Sequence, residues 1–194
     1  MRGWLIRLGI VALLGVAGVA QADAAFFDMG PDGRTLHIVG SLTNYDAPIF
    51  GDIIKRNGNI DHIVFTSDGG SMGTAMAIGR YIYEHNITTT VQGYCLSACA
   101  FTWLAGRKTG LFMEDGALVG IHVPFTDTES NVTYESVAAA AWYLGVIGAP
   151  EVLIVDIMNA SLPTNGMTDF LPLLAKENID ITISPKIVAA AVAN

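Results

Sequence analysis

The chain has 194 residues, of which 52% are hydrophobic and 14% are charged, and its formal net charge is −8. This length fits one domain, and the high apolar content argues against intrinsic disorder. The acidity leaves no basic surface to neutralise phosphates, so no nucleic-acid partner is expected, and two cysteines are too few for a disulfide scaffold or a four-ligand zinc site.

The first 22 residues have the organisation of a secretory signal peptide. Arg2 and Arg7 carry the only charges, residues 8–20 are apolar or glycine, and the last three residues, Ala-Gln-Ala, suit cleavage. An uncleaved membrane anchor is the alternative, but this apolar run is shorter than the ~20 residues that span a bilayer. We therefore predict a signal peptide over 1–22, a single exported domain over 23–194, and a periplasmic or secreted location. The net charge of that domain is −10, because Arg2 and Arg7 are lost from a total of −8.

Strands and helices alternate along the rest of the chain. Short β-branched or apolar runs predict strands, and apolar residues at helical spacing predict helices. The predicted strands are Thr35–Leu42, Ile60–Thr66, Ile87–Tyr94, Ala117–Val123 and Ile179–Ile183. The predicted helices are Ala47–Arg56, Ser71–His85, Ser97–Leu104, Tyr134–Ile147, Glu151–Met158 and Thr168–Glu177. This order predicts one α/β domain on a mainly parallel sheet.

Three short segments place chemically useful residues at the carboxyl ends of predicted strands, the edge where α/β sheets bind ligands. Gly69 and Gly70 can direct backbone amides at an oxyanion, or they can simply form a strand-to-helix turn. Ser97 can be a nucleophile with the Ala98 amide beside it, or a helix N-cap. His122 can be the base that a serine nucleophile needs, or a buried structural histidine.

The other histidines, at positions 37, 62 and 85, have weaker claims to a role in catalysis. No pair of histidines has the spacing of metal ligands. We therefore expect no metal and no other cofactor.

The order of the three segments resembles the ClpP/crotonase-like serine peptidases, in particular the secreted ClpP-like proteins of bacteria. Ser97 follows Gly70 by 27 residues, and His122 follows Ser97 by 25. The most specific parts are Gly-Ile-His122-Val-Pro and the Cys-x-Ser-x-Cys-Ala segment around Ser97, whereas Asp68 stands where the family usually has proline. The resemblance covers about residues 35–180. It implies an α/β, ClpP/crotonase-like fold of repeated ββα-type units with a mainly parallel sheet.

The resemblance also implies roles for these residues. Ser97 would be the nucleophile and His122 the general base. The backbone amides of Gly70, with Gly69 adjacent to it, and of Ala98 would form the oxyanion hole.

The third member of the triad has no clear motif in this sequence. The family places its acid well after the histidine, and Asp169 is the candidate, in Gly-Met-Thr-Asp. Asp156, inside an apolar helix, and Asn165 are the alternatives. Without an acid, His122 would still work as a less well-oriented base.

Cys95 and Cys99 flank Ser97 and lie one helical turn apart if Ser97 opens a helix. In an oxidising compartment the two cysteines can form a disulfide that rigidifies this turn. The alternative is two buried free thiols, which behave as small hydrophobic side chains. A redox enzyme would have Cys-x-x-Cys instead.

The predicted function is that of an exported serine hydrolase, a peptidase acting on peptide or protein substrates without an ATPase partner. A catalytically silent ClpP-like protein that binds peptides or partners in the same groove is the alternative. A crotonase-type acyl-thioester enzyme is disfavoured, because basic residues suited to a CoA phosphate are absent. The apolar, alanine-rich segment Tyr134–Ile147 is either core or the interface of a homo-oligomer.

Overall fold

The computed structural model describes residues 24–125, 132–160, 162 and 166–185. The predicted signal peptide and Asn165 lie outside the described residues. Within the described ranges, no helix combines the length and the apolar character needed to cross a membrane.

The described residues form one mixed sheet with helices packed against it. The strands are β1 (Phe26–Met29), β2 (Thr35–Val39), β3 (His62–Ser67), β4 (Thr88–Leu96), β5 (Leu111–Glu114), β6 (Leu118–Ile121), β7 (Thr168–Asp169) and β8 (Ile181–Ser184). The helices are α1 (Asp46–Arg56), α2 (Met72–Glu84), α3 (Ala98–Leu104), α4 (Tyr134–Val146), α5 (Glu151–Met158) and α6 (Leu171–Lys176), and a 3-10 turn follows α3.

The sheet is mainly parallel, as the sequence predicts. Its order is β1-β2-β3-β4-β5-β8, with β6 beside β4 and β7 beside β6. The β1–β2 and β6–β7 pairs are antiparallel, and the other pairs are parallel. The carboxyl ends of β3, β4 and β6 therefore lie at one edge of the sheet.

The central strand, β4, pairs with β5 along its first half and with β6 along its second half. Between the two halves its register against β3 shifts: Phe65 lies opposite Val91, and Ser67 lies opposite Cys95. Thus β4 has two more residues than β3 over this stretch. Gly93, within it, has φ +70°, a backbone conformation that glycine adopts without strain. This bulge places the end of β4 beside β6.

The helices pack on the sheet and on one another through apolar side chains. Every residue of α3 is buried. Tyr143 of α4 is fully buried, its hydroxyl donates to the Phe101 carbonyl at 2.9 Å, and burial raises the pKa of Tyr143. A Cβ at Gly79 of α2 would overlap that hydroxyl. Tyr143 is therefore core, whereas Trp142 beside it is exposed, with the Arg80 guanidinium 6.0 Å from its ring centre.

The ends of several elements differ from the predicted ones by one to three residues, and three differences are larger. β1 and β5 are strands that the sequence patterns do not predict. The helix predicted over Thr168–Glu177 begins only at Leu171. Thr168 and Asp169 instead pair with β6, and this pairing satisfies their backbone groups through contacts distant in sequence.

Candidate active site

Ser97 lies in the turn between β4 and α3, with φ +53° and ψ −124°. Side-chain-bearing residues rarely adopt this conformation, and it typically costs about 1–3 kcal/mol. Its amide donates to the Gly120 carbonyl of β6 at 2.8 Å, which fixes the turn to the neighbouring strand. Although Ser97 occupies the N-cap position, its hydroxyl makes no capping hydrogen bond to α3. The N-cap role left open by the sequence is therefore not used.

Gly69 provides the space for this turn. A Cβ at Gly69 would lie 2.5 Å from the Leu96 oxygen, 2.8 Å from the Ser97 Cβ and 2.9 Å from the Ala98 nitrogen. The amide of Gly69 donates to Ser67 Oγ at 3.1 Å. The Gly69 amide thus has a partner within its own turn, and its role in the oxyanion hole stays a prediction. Its contribution is the close approach that only a residue without a side chain permits.

Gly70 and Ala98 each carry a backbone amide without a hydrogen-bond partner in the described part of the chain. Gly70 forms a parallel bridge with Leu42. In this bridge the backbone amide of Leu42 donates to the Gly69 carbonyl at 2.6 Å, and the backbone amide of Ser71 donates to the Leu42 carbonyl at 2.7 Å. In a trans peptide the N–H points opposite to the C=O of the same unit, and the Gly69 carbonyl faces Leu42, so the Gly70 amide points away from Leu42. Both residues line the same cavity.

His122 directly follows β6 and is buried. Its Nδ1 lies 2.8 Å from the Val123 carbonyl oxygen. A carbonyl can only accept, so Nδ1 carries the proton and Nε2 of the neutral ring is an acceptor. The ring also packs against Phe125, with ring centres 5.2 Å apart. This is the tautomer that a general base needs when it takes a proton at Nε2.

One cavity of about 280 Å³, here called the Ser97 cavity, is lined by Gly70, Ser97, Ala98 and His122, and in the described part of the chain no hydrogen bond joins the Ser97 hydroxyl to His122. Its lining residues are Asn44, Gly70, Ser71, Met72, Ser97, Ala98, Phe101, His122, Pro124 and Phe125. Asn44 was missed in the sequence, because it lies in the loop between β2 and α1 and no motif surrounds it. An adjoining cavity of about 210 Å³ shares Met72, Pro124 and Phe125 and has mostly apolar walls.

The structure does not bring the candidate acids to His122. The Asp169 carboxylate is exposed and accepts from the Leu171 amide at 3.0 Å, and Asp169 pairs with Gly120, two residues before His122. The Asp156 carboxylate lies 2.6 Å from Lys176 Nζ and raises the pKa of that lysine. No carboxylate contacts His122 within the described residues. An acidic third member therefore stays a prediction.

Cys95 and Cys99 form a disulfide across Ser97, with their Cα atoms 5.2 Å apart. Both side chains are fully buried. The bond joins the end of β4 to the first turn of α3, so it ties together the two elements that hold Ser97.

Two of the other histidines have structural partners. His62 Nε2 lies 2.7 Å from Thr90 Oγ1, and burial, together with the nearby His37, lowers the pKa of His62. His85 Nδ1 lies 2.9 Å from the Tyr81 carbonyl. Over the ranges that the structure covers, no cluster of three or more His, Cys, Asp or Glu side chains is arranged to hold a metal ion.

No protein-family model matches the sequence, and no curated protein matches it either. Solved structures do match. ClpP1 from Listeria monocytogenes has a TM-score of 0.59 and 14% identity, covering 79% of this chain and 92% of that chain. The ClpP protease catalytic domain from Plasmodium falciparum has a TM-score of 0.59 and 17% identity, covering 84% and 91%. The membrane-bound stomatin-specific protease 1510-N has a TM-score of 0.53 and 14% identity, covering 76% and 77%.

At these identities the likeness is one of fold. The mainly parallel sheet and the similar structures confirm the predicted ClpP/crotonase-like fold.

Proposed function

We propose that the protein is a serine hydrolase that cleaves peptide bonds, with Ser97 as nucleophile and His122 as general base. The Ser97 cavity carries this proposal. It combines a serine hydroxyl that its helix does not use, an imidazole with Nε2 as acceptor, and two backbone amides that no residue of the described ranges engages. The three similar structures are proteases by name, which supports the choice of reaction.

In the proposed reaction, Ser97 Oγ attacks the peptide carbonyl while His122 Nε2 takes the serine proton. His122 then gives this proton to the leaving amine, and water hydrolyses the acyl-enzyme with His122 again as base. The Gly70 and Ala98 amides donate to the carbonyl oxygen as it becomes negative. Loss of one such donor typically lowers transition-state stabilisation by about 3 kcal/mol.

The Val123 carbonyl performs part of the work of a triad acid. It accepts the Nδ1 proton at 2.8 Å and so holds the tautomer that leaves Nε2 free. A neutral carbonyl stabilises the imidazolium less than a carboxylate does. We therefore propose a Ser–His dyad oriented by the main chain, with slower turnover than a complete triad.

A fluorophosphonate probe tests the proposal, because it reacts covalently with an activated serine. We expect the wild-type protein to be labelled and the Ser97→Ala variant to remain unlabelled. Ser41→Ala is the matched control, since Ser41 lies outside the Ser97 cavity and donates to Asp68 at 2.7 Å. Labelling of Ser97→Ala at the wild-type rate would refute the role of Ser97.

A catalytically silent peptide-binding protein is the second candidate function. The observation in its favour is that His122 lacks a carboxylate partner in the described part of the chain. Saturable peptide binding without hydrolysis and without fluorophosphonate labelling would establish it.

We also propose that the domain works after export. The Cys95–Cys99 disulfide supports this, because disulfides persist mainly in oxidising compartments. Mass spectrometry of the protein from its native host tests the idea: an N-terminus near residue 23 is expected, and an intact N-terminus together with reduced cysteines would contradict it.

A further inference from the structure

Asn44 is a polar side chain of the Ser97 cavity that the proposed dyad does not use. Its Oδ1 accepts a hydrogen bond from Ser71 Oγ at 2.6 Å. Its amino group has no partner in the described part of the chain. Asn44, an exposed residue on the wall of the cavity that contains Ser97 and His122, therefore has two N–H donors that no described residue engages.

The other bonds of Ser71 fix the orientation of this carboxamide. Ser71 caps α2, where its Oγ accepts from the Thr74 amide at 3.4 Å. The hydroxyl proton then needs an acceptor, and Asn44 Oδ1 provides it. A flipped carboxamide would aim a donor at Ser71, and the hydroxyl proton would lose Asn44 as its acceptor. Asn44 thus turns its oxygen to Ser71 and its amino group away from it.

The loop that carries Asn44 is held in place before any ligand binds. The Thr43 amide and hydroxyl donate to the buried Asp46 carboxylate at 2.6 Å and 3.0 Å. The Thr43 carbonyl accepts from Thr74 Oγ1 at 2.7 Å. Leu42, which precedes Thr43, forms a bridge with Gly70, so the loop is joined to the turn that carries the Gly70 amide. A donor fixed in this way loses little conformational entropy when a ligand binds.

We propose that Asn44 Nδ2 donates a hydrogen bond to a main-chain carbonyl oxygen of the bound substrate, one other than the carbonyl that Ser97 attacks. This inference rests on the proposed function and specifies its substrate class. Every peptide residue has a main-chain carbonyl whatever its side chain. A small activated ester has only the carbonyl that Ser97 attacks and offers no second one to Asn44. Asn44 therefore favours an extended peptide over a short ester and does so without selecting a sequence.

Asn44→Asp is the sharpest test, because it keeps the oxygen that Ser71 needs and replaces only the amino group. The measurement is kcat/KM on a fluorogenic tetrapeptide and on p-nitrophenyl acetate. We expect the peptide-to-ester ratio to fall about tenfold or more. The added charge near His122 acts on both substrates, so its effect largely cancels in the ratio. Ser41→Ala, in the same loop region but outside the cavity, should keep the wild-type ratio.

Asn44→Ser, which also lacks the amino group, is the second variant if Asn44→Asp does not fold, and the same fall is expected. If the wild-type protein hydrolyses both substrates and a folded Asn44 variant keeps the same peptide-to-ester ratio, the role of Asn44 is overturned. The hydrolase proposal is then unaffected. If the wild-type protein hydrolyses neither substrate and is not labelled by the fluorophosphonate, the hydrolase proposal fails and this inference fails with it.

Discussion

The substitution Asp169→Asn separates two ways of orienting His122. If the Asp169 carboxylate were the acid of a triad, asparagine could present its amino group to Nδ1 and favour the wrong tautomer of the ring. In a serine protease such a change lowers kcat by about 10⁴-fold, or about 5 kcal/mol of transition-state stabilisation. This is the effect that a triad predicts.

The structure predicts a much smaller effect. The Asp169 carboxylate accepts from the Leu171 amide at the start of α6, and asparagine accepts there almost equally well. Stability should therefore change by less than about 0.5 kcal/mol. The Nδ1 proton of His122 stays on the Val123 carbonyl at 2.8 Å. We expect the kcat/KM of Asp169→Asn to remain within about threefold of the wild-type value.

The assay is the rate of peptide hydrolysis from pH 5 to pH 9, with fluorophosphonate labelling as a second readout. Asp68→Asn is the matched control, because it also removes a negative charge from an exposed carboxylate. A loss of 10³-fold or more in a folded Asp169→Asn protein would refute orientation by the main chain. It would show that the carboxylate reaches Nδ1 during catalysis.

Two further predictions concern the turn that holds Ser97. The Cys95–Cys99 disulfide closes a loop with a sequence separation of 4, and this constraint stabilises the fold by about 2 kcal/mol through chain entropy. Reduction of the disulfide should therefore lower the melting temperature by about 4–8 °C and slow hydrolysis. An unchanged melting curve with reductant would contradict this. Gly69→Ala introduces a methyl 2.5 Å from the Leu96 oxygen at φ +99°, so we expect a loss of more than about 2 kcal/mol in stability and of most labelling. Gly51→Ala is the control, because a Cβ at Gly51 meets no atom within 4 Å. This substitution should stabilise α1 by up to about 1 kcal/mol. Equal stability of the Gly69→Ala and Gly51→Ala variants would refute the packing argument.

That Ser97 and His122 line the same cavity could be predicted, because both residues follow parallel strands. Such strands share a carboxyl edge, and β4 and β6 are neighbours in the sheet. The Val123 carbonyl could not be predicted, because a main-chain oxygen is present in every residue and its partner depends on the ring rotamer. Asn44 was missed for a related reason: its place beside Ser71 follows from loop contacts that are distant in sequence.

The misassigned elements also depended on contacts that a sequence pattern does not contain. β5 has four residues, too few for a periodic signal. Thr168 and Asp169 are residue types that commonly precede helices, so a helix was expected to begin there. In the structure these two residues pair with β6 instead. Only the Asp169 side chain contributes to the helix start, because its carboxylate accepts from the Leu171 amide.

The bulge in β4 limits how the length of the chain can change. Phe65 and Ser67 are two residues apart on β3, whereas their partners Val91 and Cys95 are four apart on β4. Because successive side chains along a strand face opposite sides, insertion or deletion of one residue here would shift the register of everything that follows up to Ser97. Surface loops, in contrast to this strand, commonly tolerate insertions and deletions. The number of residues between Val91 and Cys95 therefore helps to determine where Ser97 lies relative to β3 and β6.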